Sequence, residues 1–267
     1  MTPLADIWYH GSAMTRTARS LPPSYAQFGE DRILHRYLPD GCGIYVEVGG
    51  NDGVTASNTL FFEQLGRRCV VVEPIPGLAA RIRRGRTCTV IEAAVDECDG
   101  EAEFLIATGG NTLSTLNNRN RVRSRIDEHS GDIESVRVVT RTLDSILCEV
   151  GAGEIDLISI DVEGNELSVL RGLTLWHWKP RVLILEDNSF GRDAAVQQHL
   201  AARGYVRFRI TGVNHWYCHA DDRRLNTALR RAFSCAYALL VRAYAAISGR
   251  GRARREQERD NKKEERA

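Results

Sequence analysis

Residues 45–53, Tyr-Val-Glu-Val-Gly-Gly-Asn-Asp-Gly, decide the fold of this chain. A short apolar run ends there in a glycine-rich turn, and a second apolar run, Cys69 to Val72, ends in Glu73. A doubly wound α/β domain holds adenosine ligands in this way. The turn lets the ligand approach the backbone, and the acidic residue accepts hydrogen bonds from the ribose. The stretch therefore predicts an adenosine-containing cofactor.

The spacing of the glycines selects among such cofactors. A dinucleotide fingerprint needs glycine at positions n, n+2 and n+5, and from Gly49 these positions hold Gly49, Asn51 and Val54. Glu47-x-Gly49 with Gly53 is instead the form that S-adenosylmethionine sites use, since no pyrophosphate has to be bound. We therefore predict S-adenosylmethionine as the cofactor. The alternative is an ordinary strand-to-helix turn in which glycine serves steric needs alone.

The order of strand-like and helix-like segments predicts a Rossmann-like, seven-stranded, mostly parallel sheet. Five nearly continuous Val, Ile and Leu runs read as parallel strands covered on both faces, and a closing pair reads as an antiparallel hairpin. The predicted strands are 44–48, 69–73, 88–95, 155–161, 181–187, 205–211 and 214–219. The predicted helices are 55–65, 77–84, 142–150, 166–173 and 193–203, most of them ended by glycine. The fold class is thus α/β and doubly wound, with a C-terminal helical extension.

Three domains or segments are predicted along the chain. Residues 1–23 form a polar N-terminal arm, 24–222 the cofactor-binding domain, and 223–267 a C-terminal helix and charged tail. Residues 108–132 inside the domain are rich in Gly, Asn and Arg and predict a functional or mobile loop. The apolar stretch 232–247 predicts a helix that forms a homodimer contact first and a peripheral membrane contact second. Packing on its own domain is the alternative.

Composition limits the class of protein. The chain has 267 residues, 43% hydrophobic, which is enough for one domain with a full core. A net charge of +1 gives no pull toward nucleic acid. Seven cysteines without a C-x-x-C pair indicate reduced thiols. No apolar signal core and no run of about 18 apolar residues is present. We therefore expect a cytoplasmic protein, with any membrane association at the cytoplasmic face.

Acidic residues follow two further strands that are expected to be neighbours. Asp161 and Glu163 follow the fourth strand, and Glu186 and Asp187 follow the fifth. Ligands bind at the carboxyl ends of such strands, where unpaired carboxylates would repel one another and raise their pKa values. Mg²⁺ or Mn²⁺ bound by Asp161, Glu186 and Asp187 would relieve this repulsion and activate a substrate hydroxyl. The alternative is that Glu163 and Glu186 merely cap helices or bind the cofactor.

Two further features bear on the chemistry. His215 lies at the entrance of the closing hairpin, and a neutral imidazole there is a candidate general base near pH 7. A structural role beside Trp216 and Tyr217 is the alternative. The small residues Ala94 and Val95 close the third strand and suit a flat purine.

With these features together, the chain resembles the FkbM-type methyltransferases, a branch of the class I S-adenosylmethionine-dependent enzymes, over about residues 24–220. The matching pieces are SYAQFGED at 24–31, YVEVGGNDG at 45–53, VEPIP at 72–76, LSTL at 113–116, TLDS at 142–145, IDVEGNE at 160–166 and GVNHWY at 212–217. The resemblance implies a methyltransferase domain at 24–222 that methylates a hydroxyl of a sugar, glycan or glycosylated natural product. It carries over Glu47, Gly49 and Glu73 by position as cofactor contacts, and implies that Gln27 and Ser114 lie near the pocket.

The predicted site has four parts. The cofactor residues are Gln27, Glu47, Gly49, Gly50, Asn51, Gly53, Asn58, Glu73, Pro74, Ala94, Val95 and Asp161. The acceptor residues are Ser114, Glu163, Asn214 and His215, the catalytic residues are Asp161 and His215, and the metal ligands are Asp161, Glu186 and Asp187. The expected partner is a small-molecule or glycan acceptor. The alternative function, of another class, is a catalytically silent adenosine-binding domain that serves as an interaction module.

Overall fold

A computed structural model describes residues 21–107, 114–116, 133–189, 194–240 and 243 of the chain. Most of the predicted arm, most of the predicted loop at 108–132 and the charged tail lie outside the described residues. The strands are β1 Ile44–Val48, β2 Cys69–Val72, β3 Thr89–Ile91, β4 Ala94–Val95, β5 Gly100–Ala107, β6 Ser114–Leu116, β7 Ile133–Arg141, β8 Ile155–Ile160, β9 Val182–Glu186, β10 Tyr205–Thr211 and β11 Asn214–His219.

The helices alternate with the strands of the central sheet. They are α1 Glu30–Tyr37, α2 Leu60–Gln64, α3 Pro76–Gly85, α4 Leu143–Glu149, α5 Glu166–Arg171, α6 Leu175–Trp178 and α7 Ala195–Ala201, followed by α8, residues 228–240. Among the residues that the structure describes, no helix has the length and hydropathy needed to cross a membrane.

The central sheet confirms the predicted fold class. Its strand order is β10-β11-β9-β8-β1-β2-β3. Strands β3, β2, β1, β8 and β9 run parallel, and β11 adds antiparallel to β9 before pairing with β10. β1 lies between β2 and β8, so the carboxyl ends of these three strands open on the same edge of the sheet.

Side-chain alternation along β1 explains why both faces are covered. Ile44, Val46 and Val48 join one core cluster with residues of α4 and α5. Tyr45 joins the other cluster, where it stacks on Phe62 with ring centroids 4.2 Å apart. A strand whose two faces are both buried reads in the sequence as a continuous apolar run, which is why β1, β2, β8 and β9 were predictable.

One predicted strand is corrected. The run 88–95 forms two strands, because only 89–91 pairs with β2, whereas Ala94 and Val95 leave the central sheet and pair with β7. The second sheet, in the order β4-β7-β5-β6, was not predicted. Its small core cluster consists of Ala94, Phe104 and Val138, and Ile75 packs against it.

One predicted helix is shortened for a physical reason. The sequence predicts a helix over 55–65, but α2 begins at Leu60. The buried carboxylate of Glu47 accepts hydrogen bonds from the backbone N–H of Asn58 (2.6 Å) and from the hydroxyls of Ser57 and Thr59. These contacts hold residues 57–59 in an irregular turn, since the donors that would begin a helix are used by Glu47.

Candidate active site

A cleft opens at the carboxyl ends of β1, β2, β8 and β9 and runs over β4. The space between its walls is about 1050 Å³ when the open mouth is included. The lining residues are Gln27, Val48, Gly49, Asn51, Ala56, Val72, Glu73, Pro74, Ile75, Leu78, Ala93, Ala94, Val95, Phe104, Asp161, Val162, Glu163, Asn165 and Glu186.

Most predicted cofactor residues line this cleft. They are Gln27, Gly49, Asn51, Glu73, Pro74, Ala94, Val95 and Asp161. Glu47, Gly50, Gly53 and Asn58 are outside the lining. Of the predicted acceptor residues, Glu163 lines the cleft and Asn214 and His215 do not. The backbone of Ser114 belongs to β6, and its side chain is outside the described residues.

The turn after β1 requires glycine because two strand ends meet there. Gly49 has a φ of 88°, and a Cβ at this position would lie 1.9 Å from the carbonyl oxygen of Asp161. Gly53, with a φ of 80°, packs directly on Ile82 of α3. The turn therefore brings β1, β8 and α3 together, and only Gly49 of these glycines also faces the cleft.

Glu73 is fixed at the end of β2 by the backbone of two loops. Its carboxylate accepts hydrogen bonds from the N–H of Asn51 (2.7 Å) and of Ile75 (2.9 Å). Burial raises the pKa of Glu73 from 4.5 to about 7, although these two hydrogen bonds oppose the shift. Glu73 is thus an oriented hydrogen-bond acceptor in the wall of the cleft.

The prediction that Glu47 contacts the cofactor is corrected by its hydrogen bonds. Its carboxylate is 6% exposed and is used by the 57–59 turn and by Arg86, whose Nη1 lies 3.4 Å from Oε2. Arg86 also bonds Glu63 at 2.8 Å and the Thr59 hydroxyl at 3.0 Å. Glu47 is therefore the centre of a buried ionic network beneath the turn. The side chain of Asn58 is also held beneath the turn, because its Nδ2 donates to the hydroxyl of Ser159 (2.9 Å).

Three carboxylates converge on the cleft from β8 and β9. One oxygen each of Asp161, Glu163 and Glu186 lie within 4.8 Å of one another. Asp161 and Glu186 share a hydrogen bond. Water reaches Asp161 from the cleft, but protein surrounds its other sides, and this desolvation raises the pKa of Asp161. Burial, with the charges of Asp161 and Glu163, raises the pKa of Glu186 to about 9. The pKa values of both members of this hydrogen-bonded pair are therefore raised.

The predicted metal-ligand set is corrected by this geometry. Glu163, and not Asp187, joins Asp161 and Glu186 in the cluster. Asp187 follows Glu186 in the chain and turns to the other side, where its Oδ1 accepts hydrogen bonds from the N–H and hydroxyl of Ser189. Its Oδ2 lies 3.4 Å from Nδ1 of His215.

The hairpin residues Asn214 and His215 are used in packing. His215 is 8% exposed and pairs with Asp187. Nδ2 of Asn214 donates to Oε1 of the fully buried Glu30 at 2.8 Å. Neither side chain lines the cleft, because β11 lies beyond β9 at the far side of the carboxylate cluster.

Two buried acidic residues that follow Gln27 in the sequence fold the loop that presents Gln27 to the cleft. Asp31 accepts hydrogen bonds from the N–H groups of Tyr25 (2.7 Å) and Ala26 (3.3 Å), and Glu30 accepts one from the N–H of Phe28 (2.7 Å). A backbone bridge ties Ala26 to Ala56 in the turn after β1. The SYAQFGED stretch is therefore a loop folded around its own carboxylates, and it presents Gln27 to the cavity.

Two parts of the cleft were not predicted from the sequence. They are an apolar wall and the side-chain amide of Asn165. Ile75, Leu78 and Phe104 line the cleft beside Ala94. Asn165 is 3% exposed, and its Oδ1 has no hydrogen-bond partner among the described residues, whereas its Nδ2 donates weakly to the carbonyl of Val95 at 3.4 Å. Asn165 stands in the quoted IDVEGNE stretch, so proximity to Asp161 was the available signal.

Backbone strain concentrates at the cleft. Among the described residues, non-glycine positive φ angles occur at Asn51 (48°), Ala56 (59°), Glu163 (54°) and Lys179 (44°), and only Lys179 is outside the lining. Such conformations are costly and cluster at ligand sites. Their position supports the cleft as the functional site.

Comparison with known proteins agrees with this location. A sequence model of the methyltransferase FkbM domain matches residues 47–209, a range that contains almost the whole cleft. A search of curated proteins found no match to the chain.

Proposed function

The chain belongs to the methyltransferase FkbM domain family, and we propose that it transfers a methyl group from S-adenosylmethionine to a hydroxyl oxygen of a sugar, glycan or glycosylated natural product. The observation that carries the proposal is the presence of two different acid sites in one cleft. Glu73 lies at the end of β2, and the hydrogen-bonded pair Asp161–Glu186 lies across the end of β1.

The lining fits the cofactor in three ways. Ile75, Leu78 and Phe104 offer an apolar wall to a purine, and the buried Oδ1 of Asn165 is an acceptor that an amino group would satisfy. Glu73 accepts hydrogen bonds from ribose hydroxyls. When bound, S-adenosylmethionine supplies a methyl group already activated on a sulfonium, so the protein has to position a hydroxyl and remove its proton.

Asp161 is the proposed proton acceptor. Its carboxylate faces the cleft, and Glu186 holds a proton because burial keeps its pKa near 9. The neighbouring Glu186 therefore orients Asp161 without adding a full negative charge. Desolvation raises the pKa of Asp161, which makes it a stronger base than an exposed aspartate.

A label-transfer screen tests the function directly. Protein is incubated with methyl-labelled S-adenosylmethionine and with candidate sugars, glycans and glycosylated natural products, and labelled products are identified by mass spectrometry. A labelled ether on a hydroxyl oxygen supports the proposal. Cofactor binding without transfer to any acceptor class supports the alternative, a silent adenosine-binding module.

Replacing Glu73 with alanine is expected to weaken S-adenosylmethionine binding by about 1.5–3 kcal/mol, roughly 10- to 150-fold in Kd, because a charge-assisted hydrogen bond is lost. Since the pKa of Glu73 is about 7, wild-type affinity should rise between pH 6 and 8 as the carboxylate ionises, and the variant should lack this slope. Calorimetry measures both.

Glu92→Ala, which removes an exposed carboxylate outside the cleft, is the control. Equal affinities for Glu73→Ala and wild type would exclude the ribose role.

A divalent cation is the second candidate for the acid cluster, supported by the 4.8 Å convergence of Asp161, Glu163 and Glu186. Carboxylate oxygens suit Mg²⁺ and Mn²⁺, which would neutralise the cluster. If a proton held by Glu186 relieves the repulsion instead, as we propose, turnover is unchanged in EDTA. Loss of turnover in EDTA with recovery on adding Mg²⁺ or Mn²⁺ would establish the metal instead.

A further inference from the structure

Helix α8 exposes an unusual amount of apolar surface. Leu229, Phe233, Leu239 and Leu240 are 66–69% exposed, and Tyr237 is 41% exposed. These five make up half of the ten large apolar side chains that are exposed among the described residues. Soluble surfaces rarely carry such side chains in a contiguous patch.

The exposed side chains form one stripe along the helix. At about 100° per residue, Leu229, Phe233, Ala236 and Leu240 share a face, and Ala232 and Leu239 extend it to an arc of about 120°. Ser234, the only residue of 228–240 in the buried class, lies on the opposite face. The apolar stripe therefore faces away from the domain.

Contacts on the other face fix this orientation. Leu225, just before α8, is fully buried in the core. The guanidinium of Arg230 lies 4.6 Å from the ring centroid of Tyr37, and its Nη1 donates to the carbonyl of Leu225 at 3.2 Å. The helix is thus attached to the domain by a polar and cationic face, with its apolar face outward.

The sequence on both sides of this helix is strongly basic. Residues 223–255 contain no Asp or Glu. They contain nine arginines, which are Arg223, Arg224, Arg230, Arg231, Arg242, Arg250, Arg252, Arg254 and Arg255. The whole chain has 36 basic and 35 acidic residues, so the other 234 residues carry 27 and 35. The near-neutral net charge of the chain is therefore the sum of a basic segment, 223–255, and a net acidic remainder.

We propose that α8 is an interfacial helix that attaches this protein to an anionic lipid surface. An apolar stripe that arginines flank in the sequence matches such a surface, because the stripe enters the headgroup boundary and the arginines attract anionic lipids. The sequence alone favoured a homodimer contact. A second copy, however, would bring two segments of nine arginines together, and a nucleic acid would leave the stripe uncovered.

Flotation of the full-length protein on vesicles tests the proposal. The protein should float with vesicles of phosphatidylcholine and phosphatidylglycerol, and not with phosphatidylcholine alone. Binding should weaken as salt rises from about 0.1 M to 1 M and the Debye length falls from about 10 Å to 3 Å.

A variant set isolates the stripe. The triple substitution Leu229→Gln, Phe233→Gln and Leu240→Gln should lower vesicle partitioning by at least about tenfold, because three apolar side chains lose burial. Its affinity for S-adenosylmethionine should remain that of wild type, since none of these residues lines the cleft. Trp176→Gln is the matched control, as Trp176 is 77% exposed on α6, outside α8. This variant should float like wild type.

Three outcomes would overturn the proposal. Wild-type protein could fail to float with anionic vesicles, or it could float equally with neutral ones. Alternatively, light scattering could show a wild-type dimer that the triple substitution converts to a monomer, with neither form floating. In that third case the stripe is a contact between two copies of the chain.

Discussion

Replacing Asp161 with asparagine is expected to lower kcat by about 10²- to 10⁴-fold, the range for loss of a positioned general base. The amide keeps the size of the side chain but cannot accept the acceptor's proton. The affinity for S-adenosylmethionine should change much less than kcat, because Glu73, Asn165 and the apolar wall remain. The measurement is kcat for the acceptor found by label transfer, with calorimetry for the cofactor.

Asp187→Asn is the matched control for this substitution. Asp187 also follows a strand of the central sheet, but it pairs with His215 and Ser189 and does not line the cleft. Its variant should keep kcat within a few-fold of wild type. A loss of kcat in Asp187→Asn as large as in Asp161→Asn would place the base on the β11 side and restore His215 as the candidate.

Replacing Arg86 with methionine is expected to lower the free energy of unfolding by about 3–5 kcal/mol, the cost of removing one partner from a buried ionic network. The Arg86 side chain is 1% exposed, and its loss leaves Glu47 and Glu63 without their cation. Because Glu47 holds the 57–59 turn, the turn after β1 should loosen with it. Urea unfolding at pH 7 measures the change.

Arg83→Met provides the comparison for Arg86. Arg83 forms an exposed ion pair with Glu92 at 2.7 Å, and both side chains are well exposed. Solvent screens such pairs, so this variant should lose no more than about 1 kcal/mol. Similar losses for the two variants would contradict the buried-network account of Glu47.

The central sheet was predictable because a strand that is buried on both faces has an almost entirely apolar sequence. β2 is a continuous apolar run and β1, β8 and β9 are nearly so. Glu73 and Asp161 follow β2 and β8 directly, where the sheet ends. The strands of the second sheet do not have such an apolar sequence. β5 pairs with β7 over the whole length of β5. One face of each strand, however, carries the exposed side chains of Glu101, Glu103, Arg137 and Val139, so the segments did not read as buried strands and Phe104 was missed.

The errors at the site concern where a side chain points after its strand ends. Glu186 and Asp187 are adjacent in sequence, yet only Glu186 faces the cleft. Glu163 joins it because a left-handed φ of 54° turns the chain back after β8, and no feature of the sequence announces that turn. Glu47 lies within β1, so its burial beneath the turn depends on Arg86, which is 39 residues further on. Such pairings depend on packing between distant segments.

Calorimetric titration of the full-length protein with S-adenosylmethionine tests the central claim most directly. We expect saturable binding at a single site, competed by S-adenosylhomocysteine and weakened by Glu73→Ala. NAD should produce no heat, because the turn after β1 lacks a dinucleotide fingerprint. Absence of binding, or binding that Glu73→Ala leaves unchanged, would contradict the account.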